Sequence, residues 1–185
     1  MRTDDAGDTA VSGDERCTTV AYTRNSTTWV TAAAHTQTIA LPCGQNPTVA
    51  ADVLNDARIS FDGQAYGAAP TAGAVTTVEA AKDWSPTTGT SYRTTIRATY
   101  DPYGRPIEAL DLLGNRTATT YIPAVGGPVT GVTNTNQLSW TTRHEYDPAY
   151  GLEVASVDAN GKRTDVTYDP LGRRTAVWLP GRVKG

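Results

Sequence analysis

The sequence predicts an all-β fold of antiparallel β-hairpin repeats, and three observations predict it. First, a turn phrase recurs. Tyr100-Asp101-Pro102-Tyr103-Gly104-Arg105 returns as Tyr168-Asp169-Pro170-Leu171-Gly172-Arg173, and Asp111-Leu112-Leu113-Gly114-Asn115-Arg116-Thr117 returns as Asp158-Ala159-Asn160-Gly161-Lys162-Arg163-Thr164. Second, the residues between the phrases alternate with a period of two and are rich in Thr, Val and Tyr, as a half-buried strand requires. Third, Thr is the commonest residue, Phe and Met occur once each, and 17 Gly and 11 Pro make a turn-rich chain of modest apolar content. No stretch after residue 90 carries a helical apolar stripe.

Residues 1–16 are polar and acidic (Asp4, Asp5, Asp8, Asp14, Glu15) and are expected to be disordered. A degenerate β-rich region spans 17–91, with strand candidates at Thr18–Tyr22, Thr27–Ala33 and Ala74–Ala80. Ala50–Arg58 admits a short helical turn, but Ile59-Ser60-Phe61 before Asp62-Gly63 reads better as a strand ending in a turn. Tyr66–Gly73, broken by small residues and a proline, is a loop. Trp84–Thr90, with Ser85-Pro86 and Gly89, is the clearest connector. It is not read as a domain boundary, because one sheet is expected to continue through both halves. Clean repeats fill 92–182, and 183–185 is a tail. Within them Ile96, Ala98 and Tyr100 share a face, as do Thr164, Val166 and Tyr168. Arg173–Leu179 continues with Thr175, Val177 and Leu179 opposed to Ala176 and Trp178. Tyr100, Tyr121, Tyr146 and Tyr168 recur every 21 to 25 residues, a repeat spacing.

Each Asp-x-x-Gly is a turn with a mechanism. Asp suits the first position of a type I turn, Pro presets the backbone at the second, and Gly accepts the left-handed conformation at the fourth. Asp101–Gly104 and Asp169–Gly172 meet all three conditions, while Asp111–Gly114 and Asp158–Gly161 meet two. A left-handed Gly after a type I turn is also the geometry of a hairpin with a one-residue bulge. The tyrosine that closes each strand is expected to lay its ring on the sheet and send its hydroxyl to a turn or to water.

These alternating phrases resemble the YD repeats of Rhs (rearrangement hotspot) proteins, which also occur in teneurins and in the cocooning subunits of insecticidal toxin complexes. The resemblance covers about residues 92–182. In the first half it is confined to Leu41-Pro42-Cys43-Gly44 and Phe61-Asp62-Gly63, which resemble the degenerate strands of actinobacterial Rhs-like chains. It implies part of a curved YD-repeat sheet, an incomplete shell, acting as a non-catalytic structural segment. In the family such a shell encloses or presents a toxin or effector polypeptide. The implied partners are the remainder of the shell and that polypeptide. The implied setting is extracellular or at the cell surface, within a larger exported protein. One phrase departs from the pattern: Tyr146-Asp147-Pro148-Ala149-Tyr150-Gly151 has an extra residue before its Gly, and Leu152 stands where Arg is expected, which predicts a longer loop. The family's autoproteolysis motif, P-x-x-x-x-D-P-x-G-L, has its nearest match at Asp169-Pro170-Leu171-Gly172, with Thr164 in place of the first Pro and Arg173 in place of Leu. Self-cleavage is therefore not expected. The chain reads as a shell fragment, truncated after Arg182-Val183-Lys184-Gly185 and with an arbitrary start, and exposed sheet edges are expected.

Signatures of chemistry are sparse. There is no G-x-S-x-G elbow, no H-E-x-x-H and no P-loop. Asp101, Asp111, Asp147, Asp158 and Asp169 are better explained as turn residues than as acid–base pairs, and no catalytic residue is assigned. His144 is in phase with Tyr146 and reads as a face residue; His35 has no evident partner. One histidine near Cys17 and Cys43 does not complete a metal site, and no metal or cofactor is expected. The two cysteines either form a disulfide or remain two small unpaired residues; the extracellular setting that the resemblance implies favours the pair. A bridge there would contribute on the order of 3 kcal/mol by the chain-entropy model. Asn25-Ser26-Thr27 and Asn115-Arg116-Thr117 fit the glycosylation pattern.

A net charge of -3 without a basic stripe argues against a nucleic-acid partner. No run approaches the roughly 18 apolar residues of a membrane span, and Met1-Arg2-Thr3-Asp4-Asp5 opens no signal peptide. At least three of Trp29, Trp84, Trp140 and Trp178 are expected to pack on the sheet, Trp178 foremost. Exposed tryptophans would instead fit the alternative, a free-standing extracellular carbohydrate- or surface-binding β-module with glycans as its partners.

Overall fold

The computed structural model of the chain describes residues 1–7, 11 and 13–182. Its backbone contacts divide into two units, Met1–Thr99 and Tyr100–Gly185. Among the described residues there is no α-helix, and every strand pairing is antiparallel. The fold is all-β, as the alternation and turn phrases predict. The tail expected at 183–185, and the disorder expected at 8–10 and 12, lie outside the described residues.

The first unit is a meander of β1 (Arg2–Asp5), β2 (Arg16–Arg24), β3 (Thr31–Ile39), β4 (Val53–Phe61), β5 (Val75–Ser85) and β6 (Gly89–Tyr100), whose last residue opens the second unit. Each strand pairs with the next in chain order. Several expectations are corrected here. Residues 2–5 are strand rather than disordered: β1 pairs with β2 from Arg2↔Thr19 to Asp5↔Arg16, and this ladder outweighs their polar composition. The strand expected at Thr27–Ala33 begins only at Thr31, because Asn25–Val30 forms a turn. At 50–58 both readings hold in part, as a single 3-10 turn at Ala50–Asp52 runs directly into β4. The supposed connector at Trp84–Thr90 is a hairpin end, with Trp84↔Thr90 and Ser85↔Gly89 paired. The loop after β4 is held by one side chain: Asp62 accepts the backbone N–H groups of Thr71, Ala72, Gly73 and Ala74 at 2.7–3.1 Å.

The second unit is a shorter-stranded meander: β7 (Pro106–Asp111), β8 (Arg116–Ile122), β9 (Gly131–Thr135), β10 (Thr141–Tyr146), β11 (Glu153–Val157), β12 (Arg163–Tyr168) and β13 (Arg174–Trp178). Again neighbours in sequence are neighbours in the sheet.

Apolar burial is thin, as a meander rich in Thr and Ala dictates. Cys17, Ala34, Ile39 and Phe61 are buried in the first unit, and Ala155 in the second. Cys17 on β2 and Cys43 in the loop after β3 are joined by a disulfide, 26 residues apart in sequence. Trp178, expected in the core, is only half-buried on β13.

Candidate functional site

The repeat phrases fold into one recurring device. In each four-residue turn the Asp amide donates to the carbonyl four residues on, and the fourth residue's amide donates back to the Asp carbonyl. The pairs are Asp101 with Arg105 and Gly104, Asp111 with Asn115 and Gly114, Asp158 with Lys162 and Gly161, and Asp169 with Arg173 and Gly172. In every case the carboxylate Oδ1 accepts two further amides, two and four residues ahead, at 2.8–2.9 Å. The closing glycines hold a positive φ, 75° at Gly104 and 76° at Gly172, which an L side chain adopts only with strain.

Oδ2 takes a side chain where one reaches: Arg105 Nε at 2.6 Å, Asn115 Nδ2 at 2.7 Å and Arg173 Nε at 2.7 Å. The amides of Asn115 and Arg173 draw Asp111 and Asp169 below the usual carboxylate range. For Asp101 burial alone would raise the carboxyl, but the amide and guanidinium of Arg105 and the amide of Tyr103 together bring it lower. A carboxylate so held is a poor proton donor near neutral pH. Asp147 builds the longer version that its extra residue predicts: its amide donates to Leu152, Gly151 donates to it, and Oδ1 takes Ala149 and Tyr150.

Two further copies escaped the sequence reading. Asn136 makes the four-residue turn with Ser139 at φ 62° in the glycine position. Asn25 makes the five-residue turn with Trp29 at φ 62° where Gly151 sits in its counterpart. The signal was Asn in place of Asp, a substitution that keeps the acceptor oxygen.

The tyrosines then clamp neighbouring strands. Continuing the β7–β8 register sets Tyr121 opposite Arg105, and the β11–β12 register sets Tyr168 opposite Leu152. In both pairs the tyrosine hydroxyl donates to the carbonyl just after that residue, Pro106 for Tyr121 and Glu153 for Tyr168, each at 2.8 Å. Arg105 stacks over Tyr121, 4.5 Å from the ring centre, and donates to the carbonyls of Pro123 and Ala124 at 3.3 and 2.8 Å. Arg105→Ala is expected to destabilise the second unit by about 1–2 kcal/mol, since a desolvated cation–π contact and charged hydrogen bonds go together. Arg173→Ala, at an exposed position, should change stability by less than about 0.5 kcal/mol. Urea titration of the two variants checks this difference.

The first unit holds a polar cluster that the sequence did not announce. Asp56 on β4, 2% exposed, accepts hydrogen bonds from His35 Nε2 (2.6 Å), Gln37 Nε2 (2.9 Å), Thr90 Oγ1 (2.6 Å) and Tyr92 Oη (2.7 Å). The register explains it. Gln37 pairs with Asp56, Ala81 pairs with Tyr92, and Ala81 is the small residue between Asp56 and Tyr92 across β5. Burial alone would raise Asp56, but the four donors together outweigh it and leave the carboxyl below its usual range. Burial and the bond to Asp56 push Tyr92 up to about 12. Arg58 lies over the Tyr92 ring at 4.1 Å and pairs with Glu79 at 2.7 Å. This is not a hydrolytic triad: Thr90 and Tyr92 donate directly to the carboxylate, so the imidazole does not bridge acid and nucleophile.

No protein-family model matches the sequence, and no curated protein matches it. Among the solved structures that resemble it are two of TcdB2–TccC3. The TcdB2–TccC3–Cdc42 crystal structure superposes with a TM-score of 0.47 at 15% identity, covering 88% of this chain and 8% of that one. The TcdB2–TccC3–TEV crystal structure gives 0.40 at 14% identity, covering 92% and 11%. This chain therefore spans about a tenth of those chains.

The remaining candidates are dispersed. His144 Nδ1 bonds Glu153 Oε2 at 2.8 Å. Arg163 bridges Glu145 and Asp165 and lowers the Glu145 carboxyl. A groove of about 530 Å³ in the second unit is lined by Tyr150, Leu152, Val154, Val166, Tyr168 and Pro170. Among the described residues no group of three or more His, Cys, Asp or Glu side chains could hold a metal, and no helix is long and apolar enough to cross a membrane. Asn25 Oδ1 caps its own turn, whereas the Asn115 amide is engaged by Asp111. Packing on the sheet was expected of at least three tryptophans, yet Trp29 is 70% and Trp140 60% exposed. Both sit at the turns that depart from Asp-x-x-Gly, Trp29 with Arg24 over its ring at 4.7 Å.

Proposed function

We propose that the chain is a non-catalytic structural segment of an Rhs-type YD-repeat shell that encloses or presents a toxin or effector polypeptide. The observation that carries this reading is the repeated phrase: Tyr-Asp-x-x-Gly-Arg at 100–105 and 168–173 folds twice into the same turn and commits its carboxylate to that turn. Such a wall acts by confinement. Its backbone groups are satisfied within the sheet, and its side chains seal neighbouring strands rather than converge on a substrate. The remainder of the shell and its cargo are the partners. An extracellular or cell-surface setting, within a larger exported protein, agrees with the disulfide.

A second reading, a carbohydrate-binding module, is favoured by the exposure of Trp29 and Trp140, since exposed aromatic faces stack on sugars. Titrating the protein with a panel of mono- and oligosaccharides separates the two. The scaffold reading predicts tryptophan emission that does not change. A saturable change that disappears in Trp29→Ala or Trp140→Ala would transfer the function to the module.

A further inference from the structure

Asn25-Ser26-Thr27 and Asn115-Arg116-Thr117 both carry the Asn-x-Thr pattern of an N-glycan acceptor, and the fold treats them oppositely. The second is closed. Asn115 gives its Nδ2 to Asp111 Oδ2 at 2.7 Å, and the next two residues belong to β8, where Arg116 pairs with Leu110 and Thr117 with Ala109. The first lies wholly in the turn between Arg24, where β2 ends, and Thr31, where β3 begins. Ser26 and Thr27 are exposed and stand outside the β2–β3 ladder. The Asn25 side chain holds that turn through its oxygen: Oδ1 accepts the amides of Thr27 and Thr28 at 2.9 and 3.0 Å, and among the described residues no hydrogen bond holds Nδ2. The turn thus fixes the side chain and leaves its nitrogen available.

A second feature of the same turn has no use in the wall. Trp29, whose amide donates to the Asn25 carbonyl at 2.9 Å, is 70% exposed although Arg24 lies over one face of its ring at 4.7 Å. An indole held this way offers a large, rigid apolar face of the kind that suits the C–H face of a pyranose. We propose that Asn25 is an N-glycosylation acceptor and that Trp29 is the surface on which its first sugar rests. The donor is an oligosaccharide linked to a lipid diphosphate, used by a transferase of an exporting membrane, so the inference rests on the extracellular setting proposed above. Asn25 Nδ2 bonds to the anomeric carbon, the bond from that carbon to the diphosphate oxygen breaks, and the electron pair leaves with the lipid diphosphate. One Nδ2 proton passes to a base of the transferase. Thr27 supplies the hydroxyl that the pattern requires two residues past the acceptor. A glycan at this position stands at a hairpin end and disturbs no strand pairing.

The test is transfer in vitro to the folded, disulfide-bonded chain, with a purified oligosaccharyltransferase and its lipid-linked donor, read by intact mass and peptide mapping. A glycan on Asn25 and none on Asn115 is expected, whereas the denatured, reduced chain should accept at both. Asn25→Asp and Thr27→Ala each keep the acceptor oxygen and the two turn amides, so both should fold as the parent does and take no glycan at this site. Glycosylation should also lower acrylamide quenching of tryptophan emission, a protection that Trp29→Ala abolishes. No glycan on Asn25 of the folded chain, equal modification of Asn115, or quenching indifferent to the glycan would overturn the proposal. Because the reaction in vitro bypasses export, a negative result counts against this site and leaves the extracellular setting and the scaffold reading standing.

Discussion

Replacing Asp56 by alanine is expected to lower the unfolding free energy of the first unit by about 3–5 kcal/mol, the largest effect of any single side chain in the molecule. Four donors on β3 and β6 converge on this carboxylate, and its removal strands them in a site with little access to water. Each buried group left unsatisfied costs about 1–3 kcal/mol, less where the side chain can swing to solvent, as the partly exposed His35 can. Tyr92→Phe removes one donor and should cost about 1–2 kcal/mol. Urea unfolding at pH 7 measures both. The same cluster sets a pH window. Asp56 titrates lower folded than unfolded, so its contribution is present above the ordinary value of 3.8 and is lost as pH falls through the lowered folded value. Tyr92 titrates higher folded than unfolded, so its contribution is complete below 10 and is lost as pH rises towards about 12. Stability should therefore fall at both ends, and Tyr92→Phe should remove the alkaline decline that this group causes. A Cys17→Ala, Cys43→Ala protein that carries Asp56→Ala and unfolds no earlier than its parent would contradict the cluster's role.

The second large effect is expected on opening the Cys17–Cys43 bridge. The bridge closes a loop across a sequence separation of 26, for which the chain-entropy model gives about 3–3.5 kcal/mol. Its position adds a local consequence. The Cys43 amide lies 3.4 Å from Asp4 Oδ1, and Cys17 pairs with both Ile39 on β3 and Asp4 on β1, so the bridge holds the loop after β3 against the first two strands. The double alanine variant should lose about 10 °C or more in Tm, and added reductant should lower the parent towards it without moving the variant. A difference of under about 1 kcal/mol between the two proteins would mean that the strand ladder alone orders this region.

The repeat turns and the Asp56 cluster are of opposite legibility in the sequence. The turns were readable because each is local: Asp, Gly and the residues between them carry the whole mechanism, and the extra residue at 147–151 announced its longer loop. Where Asn25 and Asn136 replace Asp, and Trp29 and Ser139 replace Gly, the same turns form with the signal weakened, and Thr27–Ala33 was read as strand in consequence. β1 was unreadable because nothing in Arg2–Asp5 favours a strand until β2 offers its edge. The Asp56 cluster was hidden for a related reason. Its members lie at 35, 37, 56, 90 and 92, and only the register of four strands, with Ala81 between Asp56 and Tyr92, brings them together. The tryptophans misled because aromatic size argues for burial, whereas Trp29 and Trp140 sit at exposed turn ends.

The repeated phrases fold into turns whose carboxylates bind backbone amides, and that role is open to direct measurement. Amide hydrogen exchange tests it most directly, at Tyr103, Arg105, Leu113, Asn115, Asn160, Lys162, Leu171 and Arg173. These amides lie in turns, most of them on exposed residues, and an unbonded turn would exchange at the rate of free chain. The turn carboxylates are predicted to slow all eight, and Asp101→Ala or Asp169→Ala to release only the amides of its own turn. Free-chain rates at these positions in the unaltered protein would contradict the account.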